Sequence, residues 1–257
     1  MSAPSTILVV DYDGMRYRWP GEPDLHVPRV SSIVGALGSK IYENLAAKQV
    51  ARKAVTDDTW RSMPEDLAIK WLEESRWEKA NFGTEIHRII EEWLHKPTLE
   101  ITGVDPDHLN YLTGAIAFLN EHASRIIHVE KTLYNRTYEY AGTADLIAKM
   151  RDGNLAVIDW KTGELYPSHA LQVVAYMNCE HVEGVDGHLA ELPPITTGYV
   201  VQLPGDGTFK AHKVDPTPRA FRTFIALRSV QRWRDDFESD AFDSVLEPIE
   251  DDVATTN

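Results

Sequence analysis

The 257-residue sequence holds one cysteine, Cys179. A single thiol forms no internal disulfide and builds neither a multi-cysteine zinc site nor an iron–sulfur cluster, so those classes are excluded. Cys179 is expected as a small buried helix residue. Long apolar runs are also missing: nothing approaches the roughly 20 residues of a membrane span. The opening MSAPSTILVVDYDG has no basic segment, and its apolar stretch runs only from Ile7 to Val10 before acids follow. It does not read as a secretory signal, and a cytoplasmic protein is expected. No Gly-x-x-x-x-Gly-Lys-(Ser/Thr) phosphate loop occurs, which excludes a nucleotide-driven motor. Positive charge is scarce, with 26 Lys and Arg against 40 Asp and Glu and a net charge of -14. Taken globally, that balance runs against a nucleic-acid partner, because phosphate binding needs a basic footprint.

The imbalance is local. Glu238, Asp240, Asp243, Glu247, Glu250, Asp251 and Asp252 follow Phe237 with no lysine or arginine among them, and they carry half of the negative excess. Residues 248–257 are expected as an acidic tail beyond one domain over 1–247. Elsewhere Lys40, Lys48, Arg52 and Lys53 make one helical stretch basic. Arg219, Arg222, Arg228, Arg232 and Arg234 do the same for the last one. At about 100° per residue those five arginines do not share a face.

Periodicity and turn residues give an order of elements. TILVVDYDGMRYRW reads as two strands turning at Asp13-Gly14, and VPRVSSIVGALG as a short helix capped by Ser31 or Ser32 and stopped by Gly38. Helices follow at about Lys40 to Val55, Glu65 to Lys79, Thr84 to Leu94 and Asp107 to Ser124. The texture then turns β-rich through RIIHVEKTLY, YEYAGTADLIAKM and LAVIDWK. A helix over about Pro167 to Cys179 comes next, then the strands TTGYVVQL and TFKAHKV, then a last helix from Pro216 to about Phe237. The expected architecture is α/β: mostly helical over 28–124, a core over 125–215 and a C-terminal helix over 216–237. Of the seven tryptophans, those in the helical half, Trp71, Trp77 and Trp93, are expected mostly in the core.

The stretch AVIDWKTGE places charge inside a strand that should be apolar. Side chains alternate along a strand, so Ile158 and Trp160 share one face while Val157, Asp159 and Lys161 share the other. Asp145, in GTADLI, lies on the preceding strand across a short turn, within side-chain reach of Asp159. Two close carboxylates in a half-buried sheet repel unless a proton or a cation intervenes. A hard divalent cation suits their oxygen donors, and Lys161 is then placed to orient a water or stabilise developing negative charge. In NFGTEIHRIIEEWLH, His87 and Glu91 stand one turn apart on one helix face, an arrangement that suits a metal ligand and its supporting carboxylate. In SHALQVVAYMN, Gln172 and Tyr176 share a face in the same way, and both can hydrogen-bond a phosphate or a lysine. Each feature also has a plain structural reading: a solvated ion pair, a core histidine, a polar helix rim.

The ordered set GTEIH, VE, GTADLI, VIDWKTG and LQVVAY resembles the PD-(D/E)XK nuclease superfamily, in particular its RecB-like exonuclease branch. HVPRVSSIVGALG is similar to the leader of compact phage-type members. The resemblance runs from Pro28 to about Met177. It implies a restriction-endonuclease-like fold, with an N-terminal hairpin and a helical insertion added to the core. It implies His87, Asp145, Asp159 and the Trp160 carbonyl as ligands of one or two Mg²⁺ or Mn²⁺ ions, and Lys161 as the catalytic lysine. Gln172 and Tyr176 would position that lysine and the DNA strand, while Glu91 and Glu130 would stand behind the ligands. The implied partners are DNA, a single-strand-annealing or single-strand-binding protein, and further copies of the chain, with no membrane and no nucleotide. The implied setting is phage DNA recombination, replication or processing, in the host cytoplasm if the gene is a phage's. Three functions stay open on these residues: an exonuclease, a structure-selective endonuclease on the same site, and a non-catalytic member that binds DNA or a protein.

Overall fold

The computed structural model describes residues 16–37, 39–96, 104–184 and 187–237. A short antiparallel hairpin, β1 (Arg16–Trp19) and β2 (Glu22–Pro28), comes first. It turns over Pro20 and Gly21, and Gly21 takes a φ of 83°, the left-handed region that glycine enters without steric cost. The expected turn at Asp13-Gly14 and the strand before it, the stop at Gly38, and the acidic tail over 248–257 lie outside the described residues.

Helix α1 (Val30–Gly35) has Arg29 at its N-cap, so Ser31 and Ser32 sit inside its first turn instead of capping it. Burial decides the register: Val30, Ile33 and Val34 fall on one face and all three are buried. Helix α2 (Ser39–Thr56) and a 3₁₀ turn (Thr59–Ser62) lead to α3 (Glu65–His95). The sequence reads as two helices over that last span, yet α3 is one 31-residue helix running through Gly83. A lone glycine costs a helix interior about 1 kcal/mol. Against that stands an apolar stripe that keeps its phase. Buried Ala68 and half-buried Trp71, the latter covered by Lys53 of α2 at 4.0 Å, recur about five turns later as buried Ile86 and Ile89. Trp71 and Trp93 are half-buried. Helix α4 (Pro106–His122) starts on Asp105, whose Oδ1 accepts the Asp107 N–H at 2.9 Å, with Pro106 in the first turn.

The central sheet follows: β3 (Ala123–Asn135), β4 (Tyr140–Met150), β5 (Leu155–Lys161), helix α5 (Pro167–Met177), β6 (His181–Glu183), β7 (Leu189–Glu191), β8 (Thr197–Gln202), β9 (Lys210–Val214), and then helix α6 (Pro218–Phe237). Its seven strands lie in the order β7-β6-β3-β4-β5-β8-β9. All neighbours are antiparallel except β5 and β8, which run parallel and are joined through α5. This is the α/β class expected, a mixed sheet between helices, and it is compatible with a restriction-endonuclease-like core. Strands β6 and β7 have three residues each, too few for an alternating pattern to be legible. Helix α6 begins at Pro218 and not at Pro216, because Thr217 Oγ1 accepts the Ala220 N–H at 3.2 Å and proline fits the first helical position. Cys179 is buried, just past the end of α5.

Helices cover both faces of the sheet. On one face α1, α5 and α6 pack through Ile33, Val34, Val173, Val174 and Phe224 onto Val157 of β5 and Val200 of β8. On the other, α4 and the C-terminal half of α3 pack through Ile86, Ile90, Leu112 and Phe118 onto Ala156, Ile158 and Trp160. Among the described residues no helix is long and apolar enough to cross a membrane.

Candidate active site

Strand β5 lies between β4 and the parallel strand β8, and such a strand is apolar almost throughout. Asp159 breaks the run at 1% exposure. The alternation expected for β5 holds: Val157 belongs to the core beside α5, Ile158 and Trp160 to the opposite core, and Lys161 Nζ lies 2.6 Å from Asp159 Oδ2. The second oxygen, Asp159 Oδ1, is fully buried and accepts no hydrogen bond among the described residues. Burial raises the Asp159 carboxyl to about 6; the Lys161 charge opposes that rise and the Asp145 charge adds to it.

Asp145 is where β4 and β5 part. Their ladder pairs Leu146 with Ile158, so one step further Asp145 stands opposite Asp159. There the backbone pairing gives way to a side chain, as Trp160 N–H donates to Asp145 Oδ2 at 2.8 Å. On the other flank of β4, β3 pairs Val129 with Leu146 and Lys131 with Ala144, which sets Glu130 across from Asp145. Glu130 has a φ of 46°, rare for a residue with a side chain. Such strain costs on the order of 1–3 kcal/mol and gathers at functional sites.

Helix α3 supplies His87 from the layer opposite α5. Its Nδ1 lies 3.4 Å from Asp145 Oδ2 and its Nε2 lies 3.0 Å from the Trp160 carbonyl oxygen. One ligand atom each from His87, Glu130 and Asp145 falls within 4.8 Å of the other two, a group able to hold a metal ion. Burial pulls the imidazole down, but Asp145 outweighs it and raises His87 to about 9. The same imidazole, outweighing burial, holds Asp145 below the usual carboxylate range. Glu130 is pushed up to about 8, by burial first and then by Asp145. This is the signature of too much negative charge in too little water, which a bound cation relieves.

Helix α5 covers the site from its own side. Gln172 Nε2 donates to Tyr176 Oη at 3.0 Å, confirming that the two share a face. Tyr176 is held close to β4 by Gly142, where a Cβ would stand 2.8 Å from Tyr176 Cε1. Burial and then the Asp159 charge raise the Tyr176 phenol well above its usual value, so it stays protonated. One turn before Gln172 on the same face is His169, a residue the sequence reading passed over.

Glu91 makes its ion pair with His95, at 3.8 Å, while His87 pairs with Asp145; the Glu91 charge is felt by Glu130. Glu130, expected behind the ligands, stands among them, whereas Asp159 lies outside that three-residue group and is held by Lys161. The Trp160 carbonyl is at the site as expected and engages His87. Position across from Asp145 on an antiparallel neighbour was the available signal for Glu130, and it depends on a β3 register that the sequence does not print.

The donor set fits a hard divalent cation. It offers carboxylate oxygens with one imidazole, and a fully buried Asp159 oxygen lacks a donor. Compared with known proteins, the chain matches no family model and no curated protein.

Proposed function

We propose that this chain is a metal-dependent DNA exonuclease of the PD-(D/E)XK type, acting in the cytoplasm on phage DNA during recombination, replication or processing. One observation carries the reading: a pair of buried Asp159 and half-buried Lys161 on one strand face adjoins the His87, Glu130 and Asp145 group at the point where β4 and β5 part. A structural ion pair needs no second acidic cluster beside it, and burying so many acids together is costly without a task.

His87, Glu130, Asp145 and Asp159 would hold the ion, with Mg²⁺ favoured by the oxygens and Mn²⁺ by the imidazole. When bound, such an ion activates water and offsets charge on the phosphoryl oxygens. Lys161, held at 2.6 Å by Asp159, orients the attacking water and stabilises the negative charge that develops on the phosphate. Gln172 and the protonated Tyr176 donate hydrogen bonds that fix the lysine and the strand. His87 must give up its proton before its nitrogen can serve as a ligand, so loading the site releases protons.

The test is incubation of the full chain with end-labelled linear duplex, linear single-stranded and closed circular DNA, in Mg²⁺, Mn²⁺ or EDTA. Loss of linear DNA from its ends only with metal, with circles spared, supports the exonuclease. Cleaved circles replace it with an endonuclease on the same site. No cleavage of any substrate overturns the catalytic reading.

A further inference from the structure

On the nuclease reading just given, we infer that His169 is a neutral hydrogen-bond donor to the DNA backbone beside the scissile phosphate. Positions His169, Gln172 and Tyr176 stand three and then four residues apart, so they form one stripe along α5. Helix α5 follows β5 and returns beside it to reach the parallel strand β8, so the helix runs back against the direction of β5. Tyr176 feels Asp159 most strongly among the charges around it, whereas the charge His169 feels is Lys161. The stripe therefore continues past the Asp159–Lys161 pair, and His169 is its member at the mouth of the site.

The ring is fixed and its tautomer is assigned by its contacts. Tyr166 N–H donates to His169 Nδ1 at 3.3 Å, and the backbone N–H of His169 donates back to the Tyr166 carbonyl at 2.9 Å. The Tyr166 ring meets the imidazole edge-on at 5.5 Å between centroids, and its hydroxyl is tied to Glu164 at 2.8 Å. A nitrogen that accepts a backbone N–H carries no proton, so the proton sits on Nε2. Burial and the Lys161 charge agree with this, holding the imidazole down at about 4. What His169 offers is one directed N–H with no charge, next to a lysine that carries the charge. A phosphodiester oxygen is the acceptor such a donor suits at the edge of a nuclease site.

Two substitutions separate this role from simple capping of α5. In His169→Asn the amide oxygen takes the place of Nδ1, so the Tyr166 contact is kept and the outer donor is lost. In His169→Gln the amide nitrogen takes the place of Nε2, so the donor is kept and the cap is lost. Binding of a fluorescein-labelled duplex of about 20 bp is read by anisotropy in Ca²⁺ across a salt series. H169N should bind about 5- to 10-fold more weakly with an unchanged melting temperature, the loss of one neutral hydrogen bond. H169Q should stay within about twofold in affinity and melt lower. The slope of log K against log salt should match the unaltered chain in both, because a neutral contact releases no counterion. Binding by H169N equal to the unaltered chain would overturn the inference, as would a slope reduced by about 1, the mark of a cationic contact. An unaltered chain that neither binds nor cleaves DNA overturns the nuclease reading as well.

Discussion

The two halves of α3 are built from the same stripe and live in different surroundings. In the C-terminal half Ile86 and Ile90 are at 0% and 1% exposure against the sheet and α4, and this half carries His87 into the acidic group. In the N-terminal half, packed on α2, Ala68 is the buried residue among those described, and Leu67, Ile69 and Val55 of α2 stand 52%, 51% and 83% exposed. The helix is continuous, so the difference lies in what each half rests on. Where the stripe meets a sheet it is buried and the side chains beside it are held; where it meets one further helix it covers only that helix. Chemistry that requires fixed distances belongs on the first half.

Substitutions around the two halves should therefore behave differently. The largest effect is on rate: on β5, at the site the C-terminal half faces, Asp159→Asn or Lys161→Ala should lower cleavage of end-labelled duplex by about 10³-fold or more. Ile69→Ser on the exposed half together with Val55→Ser on α2 should leave it within about twofold. A comparable loss from that double substitution would make α2 and the N-terminal half of α3 part of the catalytic machinery and end the comparison. Metal affinity should follow: Glu130→Gln or His87→Ala should weaken Mn²⁺ binding, followed calorimetrically, by about 10–100-fold. Glu73→Gln, on the exposed half, should leave it unchanged.

Stability should split in the same way. Ile90→Ala is expected to cost about 2–5 kcal/mol in denaturant unfolding. Leu67→Ala, exposed, should stay within about 0.5 kcal/mol. The smallest effect is on pH dependence without metal. His87 rises from 6.5 to about 9, Glu130 from 4.5 to about 8 and Asp159 from 3.8 to about 6 on folding. All three are raised, so each favours the fold at low pH and loses its contribution as pH climbs through the folded value. Asp145 is lowered and acts in the opposite sense, but only below its ordinary 3.8. The metal-free melting temperature should fall between about pH 4 and pH 9. Mn²⁺ competes with protons for the same groups, so the melting shift it produces should grow over that range.

Much of this arrangement was legible from residue order. The alternation in AVIDWKTGE placed Asp159 and Lys161 on one face, and a short turn made Asp145 their neighbour, because strand periodicity and hairpin connection are local properties. Gln172 and Tyr176 were legible for the same reason on a helix. Glu130 was legible only as a residue behind the ligands, since its place among them depends on the pairing of β3 with β4 and on a left-handed φ that no propensity anticipates. The continuity of α3 across Lys79 to Thr84 was not legible either, because a glycine such as Gly83 reads as a break between helices when the helix is viewed alone. Only the partners of α3, a helix at one end and a sheet at the other, show why it continues. His169 was missed because its partner is a backbone N–H three residues earlier, which leaves no mark in a pattern of side chains.

The Trp160 backbone has a consequence for measurement. Its N–H is bound to Asp145 and its carbonyl to His87, so the two peptide planes that meet at its Cα are each held by a residue whose charge changes when an ion arrives. Its indole meanwhile is buried at 1% exposure against Phe118 and does not sample solvent. The Trp160 amide resonance is therefore a built-in gauge of occupancy, read in a nitrogen–proton spectrum of the ¹⁵N-labelled chain without a substrate or turnover.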